Sequence, residues 1–419
     1  MRKRRPKTQR EFALSVVQRL RDAGFEALWA GGCVRDQLLG RTPKDYDVAT
    51  NALPEQVREL FGFRRTLAIG AAFGVISVRG GNLKSIDVAT FRTDGRYQDG
   101  RRPESVEFTS AEEDARRRDF TINGLFCDPI ADRIIDYVGG VNDLEARVVR
   151  AIGDPRQRFA EDKLRMLRAV RFAATYNFAL DPATLAAIRE MAGDVLQVSA
   201  ERIGAELRRM LAHASRSRGA ALLAESGLMR AVLPEIAPLA EANDERWQAA
   251  ERRMRKIGNS TVACGFASLL FGMADARQAQ AIGRRLRLTN KENHRIGWLL
   301  AQLPAALEGD QLPWPQLQRL LVHDGFGELS ALAQSVLPAD HPALRRCQAQ
   351  LARPAGEWNP PPLVTGDDLT AWGYQAGQRF AALLGHLRDE QLEGRLRTKE
   401  DAMAEAQRWM AARGEEPLR

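Results

Sequence analysis

Strand-like patterning in this 419-residue chain stops near Pro155, and that change limits the fold more than any other feature. Upstream, short apolar and β-branched runs alternate with helical segments. Residues 26–30 read as a strand ending at Gly31-Gly32, and residues 34–39 as the helix that follows. Residues 45–49 form a second candidate strand. Pro54 opens a helix that reaches Phe61, as suits a ring whose φ is already helical. Residues 74–78 and 85–89 have the composition of sheet. Residues 91–103, crowded with glycine and charge, read as a loop and not as an element. Downstream, Ala-, Leu-, Arg- and Glu-rich helical patterns are broken near Gly227, Gly258, Gly309 and Pro338, and Pro360-Pro361-Pro362 precedes a last helical unit. The expected architecture is an α/β head (1–150) with a small mixed or antiparallel sheet, followed by an all-α neck (151–215), body (216–358) and tail (359–419).

A chain this long exceeds one compact core. It has no run of about 18 apolar residues that would span a membrane. The basic start, Met1 to Lys7, lacks the apolar core of a secretion signal. Cys33, Cys127, Cys264 and Cys347 lie too far apart in sequence for a zinc motif or a disulfide framework, which fits a reducing, cytoplasmic setting. Lys and Arg number 62 against 54 Asp and Glu, a net charge of +8 that favours polyanionic partners without selecting one.

Three motifs carry chemistry. In Gly31-Gly32-Cys-Val-Arg35-Asp36, two glycines between strand and helix let backbone approach a phosphate, and Arg35, one turn on, is placed to pair with it. A tight turn with a surface arginine would explain the same residues. In Asp45-Tyr46-Asp47, carboxylates at i and i+2 of a strand share one face and suit Mg²⁺, which takes one or two carboxylates plus substrate phosphates. A solvated strand edge is the alternative. In Arg116-Arg117-Arg118-Asp119-Phe120-Thr121-Ile122-Asn123, cations meet an expected strand; arginines suit triphosphate oxygens, and the Asn123 amide is able to read a sugar or base edge.

Jointly these motifs resemble the branch of the nucleotidyltransferase superfamily that contains bacterial CCA-adding enzymes and poly(A) polymerases, and the similarity extends through Asp136-Tyr-Val-Gly-Gly140. The resemblance implies an α/β nucleotidyltransferase head, Mg²⁺ held by Asp45 and Asp47 as catalytic residues, and a nucleotide held by Gly32, Arg35, Arg118 and Asn123. Asp87 and Asp119 stay open as a third carboxylate. The implied reaction adds C, C and A to the 3′ end of tRNA from CTP and ATP, releasing pyrophosphate.

The segment Glu161-Asp162-Lys-Leu-Arg165-Met-Leu-Arg168-Ala-Val-Arg171 reads as one helix, with Leu164, Leu167 and Val170 inside and a charged stripe of Asp162, Arg165, Arg168 and Arg171. An i,i+3 ion pair on a solvated face would suffice for it. In the resembling family such a segment serves as an amino-acid template. Asp162 then accepts from the exocyclic amine of cytosine or adenine, Arg165 donates to the adjacent ring nitrogen, and Arg168 and Arg171 contact phosphate or support the pair. Glu206 is read as structural, and Arg96, Asp99, Arg101 and Arg102 as candidates for switching specificity from C to A. The competing readings are an enzyme adding only CC or only A, a poly(A) polymerase, and a non-catalytic RNA-binding protein. His323-Asp324 lacks the further histidines of a metal-dependent phosphohydrolase, which excludes that activity.

Overall fold

The computed structural model describes residues 6–70, 74–94, 106–374 and 378–413. The chain forms two compact units, one of residues up to Gln248 with Ile282–Leu288, the other of Ala249–Ala281 with Thr289 onward.

The first unit opens with helix α1 (Gln9–Asp22), started by a Thr8/Glu11 capping box and turned inward by Phe12, Ala13, Val16, Val17 and Leu20. The head strands are β1 (Ala27–Ala30), β2 (Asp47–Thr50), β3 (Thr66–Gly70), β4 (Val75–Gly80), β5 (Leu83–Thr90), β6 (Arg92–Asp94), β7 (Val106–Phe108), β8 (Leu125–Asp128) and β9 (Arg133–Asp136). Seven of them make one sheet in the order β3-β4-β5-β2-β1-β8-β9. Only β2 and β5 pair in parallel, so the sheet is mixed, as expected. Helix α2 (Gly32–Leu38) leaves the end of β1, and α3 (Pro54–Phe61) follows β2. Helices α4 (Ala111–Arg116) and α5 (Gly140–Glu145) complete the head.

The neck contains α6 (Pro155–Glu161), α7 (Leu164–Tyr176), α8 (Pro182–Met191) and α9 (Ala200–Ala212). Leu164, Leu167 and Val170 are buried as the periodicity predicts, and α7 packs on α9. In the second unit, Val262–Leu270, Asn290–Leu307 and Phe326–Val336 pack together. The stretch after Pro362 gathers its own core from Leu369, Leu383, Leu387, Ala402, Ala406 and Met410. Among the described residues no helix is long and apolar enough to cross a membrane.

Four local expectations are corrected. Asp45 lies in a bend before β2, so it and Asp47 do not share a strand face. Residues 92–94 are not loop: they pair as β6 with β7, because the main chain there continues off β5 through bonds from Phe91 N to Thr50 O and from Thr109 N to Phe91 O. Residues 95–105, with Arg96, Asp99, Arg101 and Arg102, lie outside the described residues. Phe120 to Asn123 is no strand, since Thr121–Asn123 forms a 3₁₀ turn and the strand begins at Leu125. Finally, residues 161–171 are not one helix. Asp162 is extended (φ −146°, ψ 101°), and its Oδ1 accepts the Leu164 N–H at 3.1 Å. The carboxylate takes up a backbone donor that the new helix would leave unpaired, which is what aspartate does at a helix start.

Candidate active site

Antiparallel pairing of β1 with β2 sets Ala30 opposite Asp47, so the glycine turn starts beside that carboxylate. Gly31 has φ 69° and ψ −122°, a conformation that side chains disfavour. A Cβ there would stand 2.9 Å from Arg118 Nη1. Gly31 is therefore required twice, by its backbone and by the guanidinium lying against it. Gly32 occupies the first turn of α2, where a Cβ would meet Arg35 Nη2 at an ordinary 3.5 Å. The close approach falls on Gly31.

Parallel pairing of β2 with β5 puts Asp87 in register with Asp47. Both are exposed while Val48, Ile86 and Val88 beside them are buried, so the two carboxylates stand on the open face. Asp87 accepts from the Ser77 hydroxyl. Asp45, well exposed, pairs with Lys84 Nζ at 2.6 Å. Asp47 keeps much of its surface open, yet the surrounding protein atoms crowd it. That crowding first, and then the charge of Asp87, raises its pKa; Arg118 pulls it back down and Asp45 adds a smaller upward push. Among the described residues no three His, Cys, Asp or Glu side chains stand ready-grouped for a metal. The donor set nevertheless fits a hard divalent cation: carboxylate oxygens, mutually repelling, beside a turn suited to phosphate.

Behind the turn, Arg118 is held by Asp114 (Nη2 to Oδ2, 2.9 Å) and lies over the Phe126 ring at 4.9 Å. Arg117 shares the same carboxylate at 2.6 Å. Burial alone would raise the Asp114 carboxyl, but Arg118 and Arg117 outweigh it and hold it below the usual range. Asn123 is committed on both sides of its amide: Oδ1 accepts from Arg35 Nη1, and Nδ2 donates to Asp119 Oδ1 at 3.0 Å. Arg35, only 6% exposed, also holds Asp36 through Nε and Nη2 at 3.0 and 2.8 Å. Neither Arg35 nor Asn123 is the free surface group that the sequence suggested. Both brace the turn from within.

The segment 161–171 is also more tied than expected. Asp162 and Arg165 do not pair with each other. Asp162 Oδ2 accepts from Arg202 Nη2 of α9 at 2.7 Å. Arg165, buried, pairs with Glu161 and donates from Nη2 to Arg117 O at 3.2 Å. Arg168 pairs with Asp119 at 2.6 Å, and Arg171 with the buried Glu206. Asp119 is thus engaged as an ion-pair anchor between head and neck: burial opposes its charge, but Arg168 and Asn123 win and hold its pKa down to about 2. Sequence reasoning missed Asp114, Tyr176 and Arg202 as partners of the site. Asp114 has a signal, an acid in a helix four residues before Arg118, which lies just past the helix end. Tyr176 and Arg202 arrive from distant segments and have none.

Residues 27–150 match the model of the poly(A) polymerase head domain, and residues 177–239 that of a probable RNA- and SrmB-binding site of polymerase A. The CCA-adding enzyme of Geobacillus stearothermophilus is 36% identical over 389 residues, 87% of this chain and 88% of that protein. Among solved structures, the Bacillus stearothermophilus CCA-adding enzyme in complex with CTP superposes with a TM-score of 0.78 at 30% identity, covering 98% of this chain and 99% of its own. The Thermotoga maritima CCA-adding enzyme complexed with tRNA shares the fold at a TM-score of 0.63 and 19% identity, with 96% of each chain covered.

Proposed function

The chain belongs to the CCA-adding enzymes, and from that premise we propose that it completes tRNA 3′ ends in the cytoplasm, adding C, C and A from CTP and ATP. The observation that carries the reading is the match to a CCA-adding enzyme along 87% of this chain, together with strand pairings that set a glycine turn beside adjacent carboxylates. The terminal hydroxyl of the RNA attacks the α-phosphorus of the nucleotide. A new O–P bond forms, the bond to the bridging oxygen breaks, and pyrophosphate leaves.

Asp45 and Asp47 would hold Mg²⁺, with Asp87 beside them as a further carboxylate; bound there, the ion would offset phosphate charge and ease ionisation of the hydroxyl. Asp45 reaches that role by leaving Lys84. Arg118, rigid between Asp114 and Phe126, supplies fixed positive charge beside the glycine turn, where phosphate oxygens would lie. Gly32, Arg35 and Asn123 shape that turn. Asp162 accepts from the exocyclic amine of C or A, and Arg165 donates to the adjacent ring nitrogen. Uracil and guanine present a carbonyl to the carboxylate, and a site built on such pairing discriminates by roughly 10⁴. Arg168 and Arg171, paired with Asp119 and Glu206, support the selecting segment. The division of labour follows the chain: residues 1–150 catalyse, 151–215 select, and 216–419 hold RNA through spread basic surface.

Primer extension tests the reading. tRNAs ending before CCA, after C and after CC are mixed with Mg²⁺ and CTP, ATP or both, and resolved at single-nucleotide steps. Completion to CCA followed by arrest is expected. Long A tails, a stop at CC, or no extension would each overturn it.

A further inference from the structure

One face of α7 forms the seam between neck and head. Arg165, Arg168, Phe172 and Tyr176 follow at spacings of three, four and four residues, so they line one side of the helix. Each reaches a head residue. Arg165 Nη2 donates to Arg117 O at 3.2 Å, and Arg168 Nε to Asp119 Oδ2 at 2.8 Å. Phe172 meets Phe120 edge-on at 5.7 Å. Tyr176, in the last turn, donates its hydroxyl to Asp36 Oδ1 at 2.9 Å. Arg35 and Arg41 lie over its ring at 4.4 and 4.9 Å. Burial keeps the Tyr176 phenol protonated, with a pKa pushed up to about 12, so it remains a donor throughout the physiological range.

We infer that Tyr176 is a positioning residue, a latch that joins the far end of α7 to the Arg35-Asp36 pair of α2 and so fixes the selecting segment relative to the glycine turn. This rests on the nucleotide-selecting role proposed above for Asp162 and Arg165. Tyr176 stands about 12 Å along the helix from Arg168, at roughly 1.5 Å per residue, while Asp162 lies just beyond the opposite end. Arg165, Arg168 and Phe172 hold the helix nearer its start and α9 packs along it, so Tyr176 is what joins its last turn to the head. That contact at the far end limits small tilts of the helix on the head. On a pivot between Arg165 and Arg168, Asp162 lies about half as far away as Tyr176, so a slip of about 1 Å at Tyr176 moves it by roughly 0.5 Å, and a misplacement of about 1 Å is worth up to about 100-fold in rate.

The variants are Tyr176→Phe, which keeps the ring and both cation contacts and removes the hydroxyl, and Tyr176→Leu, which removes the ring as well. Each is measured in the full chain, with CTP and with UTP, on tRNA lacking CCA. For Y176F the expected result is a fall of about tenfold in kcat for CTP, a KM for CTP within about threefold of wild type, and a CTP-over-UTP preference reduced by about tenfold. Y176L narrows the preference further. Equal losses for CTP and UTP, with the preference unchanged, would mean that Tyr176 serves stability alone and would overturn the inference. Amide hydrogen exchange gives a readout independent of activity. Faster exchange in Y176F at both α2 and the last turns of α7, with α1 unchanged, supports the latch, and wild-type exchange at both refutes it. If wild-type protein extends no tRNA, the functional reading fails while the exchange result still decides the latch.

Discussion

Gly31→Ala tests the demands made on the glycine turn, and Gly40 provides a control at nearly the same φ. Gly31 and Gly40 both sit at positive φ, 69° and 67°. A Cβ on Gly40 meets nothing within 4 Å, whereas one on Gly31 comes to 2.9 Å from Arg118 Nη1. Both alanines therefore carry backbone strain of about 1–3 kcal/mol, and only the first also displaces a guanidinium. At about 1–3 kcal/mol, with Gly31 at the upper end because of its ψ of −122°, the variants lower the melting temperature of a unit this size by roughly 2–12 °C. Arg118 is held at its other side by Asp114 and Phe126, so it has little room to yield. If Arg118 faces the phosphates as proposed, a shift of a few tenths of an ångström to 1 Å in it is expected to slow nucleotide addition by up to about 100-fold. The assay is single-turnover addition of CTP to tRNA lacking CCA, run beside thermal unfolding of both variants. G40A should keep a near wild-type rate despite its lower melting temperature. A G31A rate within twofold of G40A would refute the claim that the turn and Arg118 act as one unit.

Asp47→Asn should reduce extension by about a thousandfold or more and remove its response to added Mg²⁺, while Asp87→Asn should weaken that response without abolishing turnover; a titration of rate against Mg²⁺ checks both. Arg165→Ile should blur the preference for CTP and ATP over UTP and GTP more than it weakens tRNA binding, read from misincorporation beside a filter-binding curve, and an unchanged preference would remove Arg165 from selection. The Asp119 carboxyl, held down to about 2 in the folded chain against an unfolded value near 4, contributes stability that is fully present above about pH 4 and lost as pH falls toward 2. Asp119→Asn should therefore be less stable at neutral pH and show a flatter acid limb in urea unfolding between about pH 4 and 2; an acid limb parallel to wild type would show that Asp119 does not titrate in the folded protein.

The site divides into what local pattern encodes and what it does not. Alternating and β-branched runs mark β4 and β5, and Pro54 marks α3 to the residue, because burial on one face and a fixed φ act within a few neighbours. The glycine turn between β1 and α2 is readable for the same reason, whereas the strand face expected to carry both Asp45 and Asp47 is not formed, because Asp45 lies in the bend before β2. The break at Asp162 was also written locally, as a capping aspartate before an apolar run, but the regular spacing of Leu164, Leu167 and Val170 invited one continuous helix.

Partnership is another matter. A charged side chain takes whichever opposite charge the fold brings within reach, and sequence spacing offers only its near neighbours. Asp162 finds Arg202, 40 residues away, and not Arg165. Arg168 finds Asp119 across 49 residues, and Tyr176 finds Asp36 across 140. The strand order β5-β2-β1 likewise decides that Asp87 stands beside Asp47. The residue types and short spacings establish which chemistry the chain can perform, because that depends on donors, acceptors and local backbone freedom. The packing of α7 on the head establishes which of those groups are free to meet a nucleotide and which brace the others, because buried charges must be paired and the pairs come from distant segments.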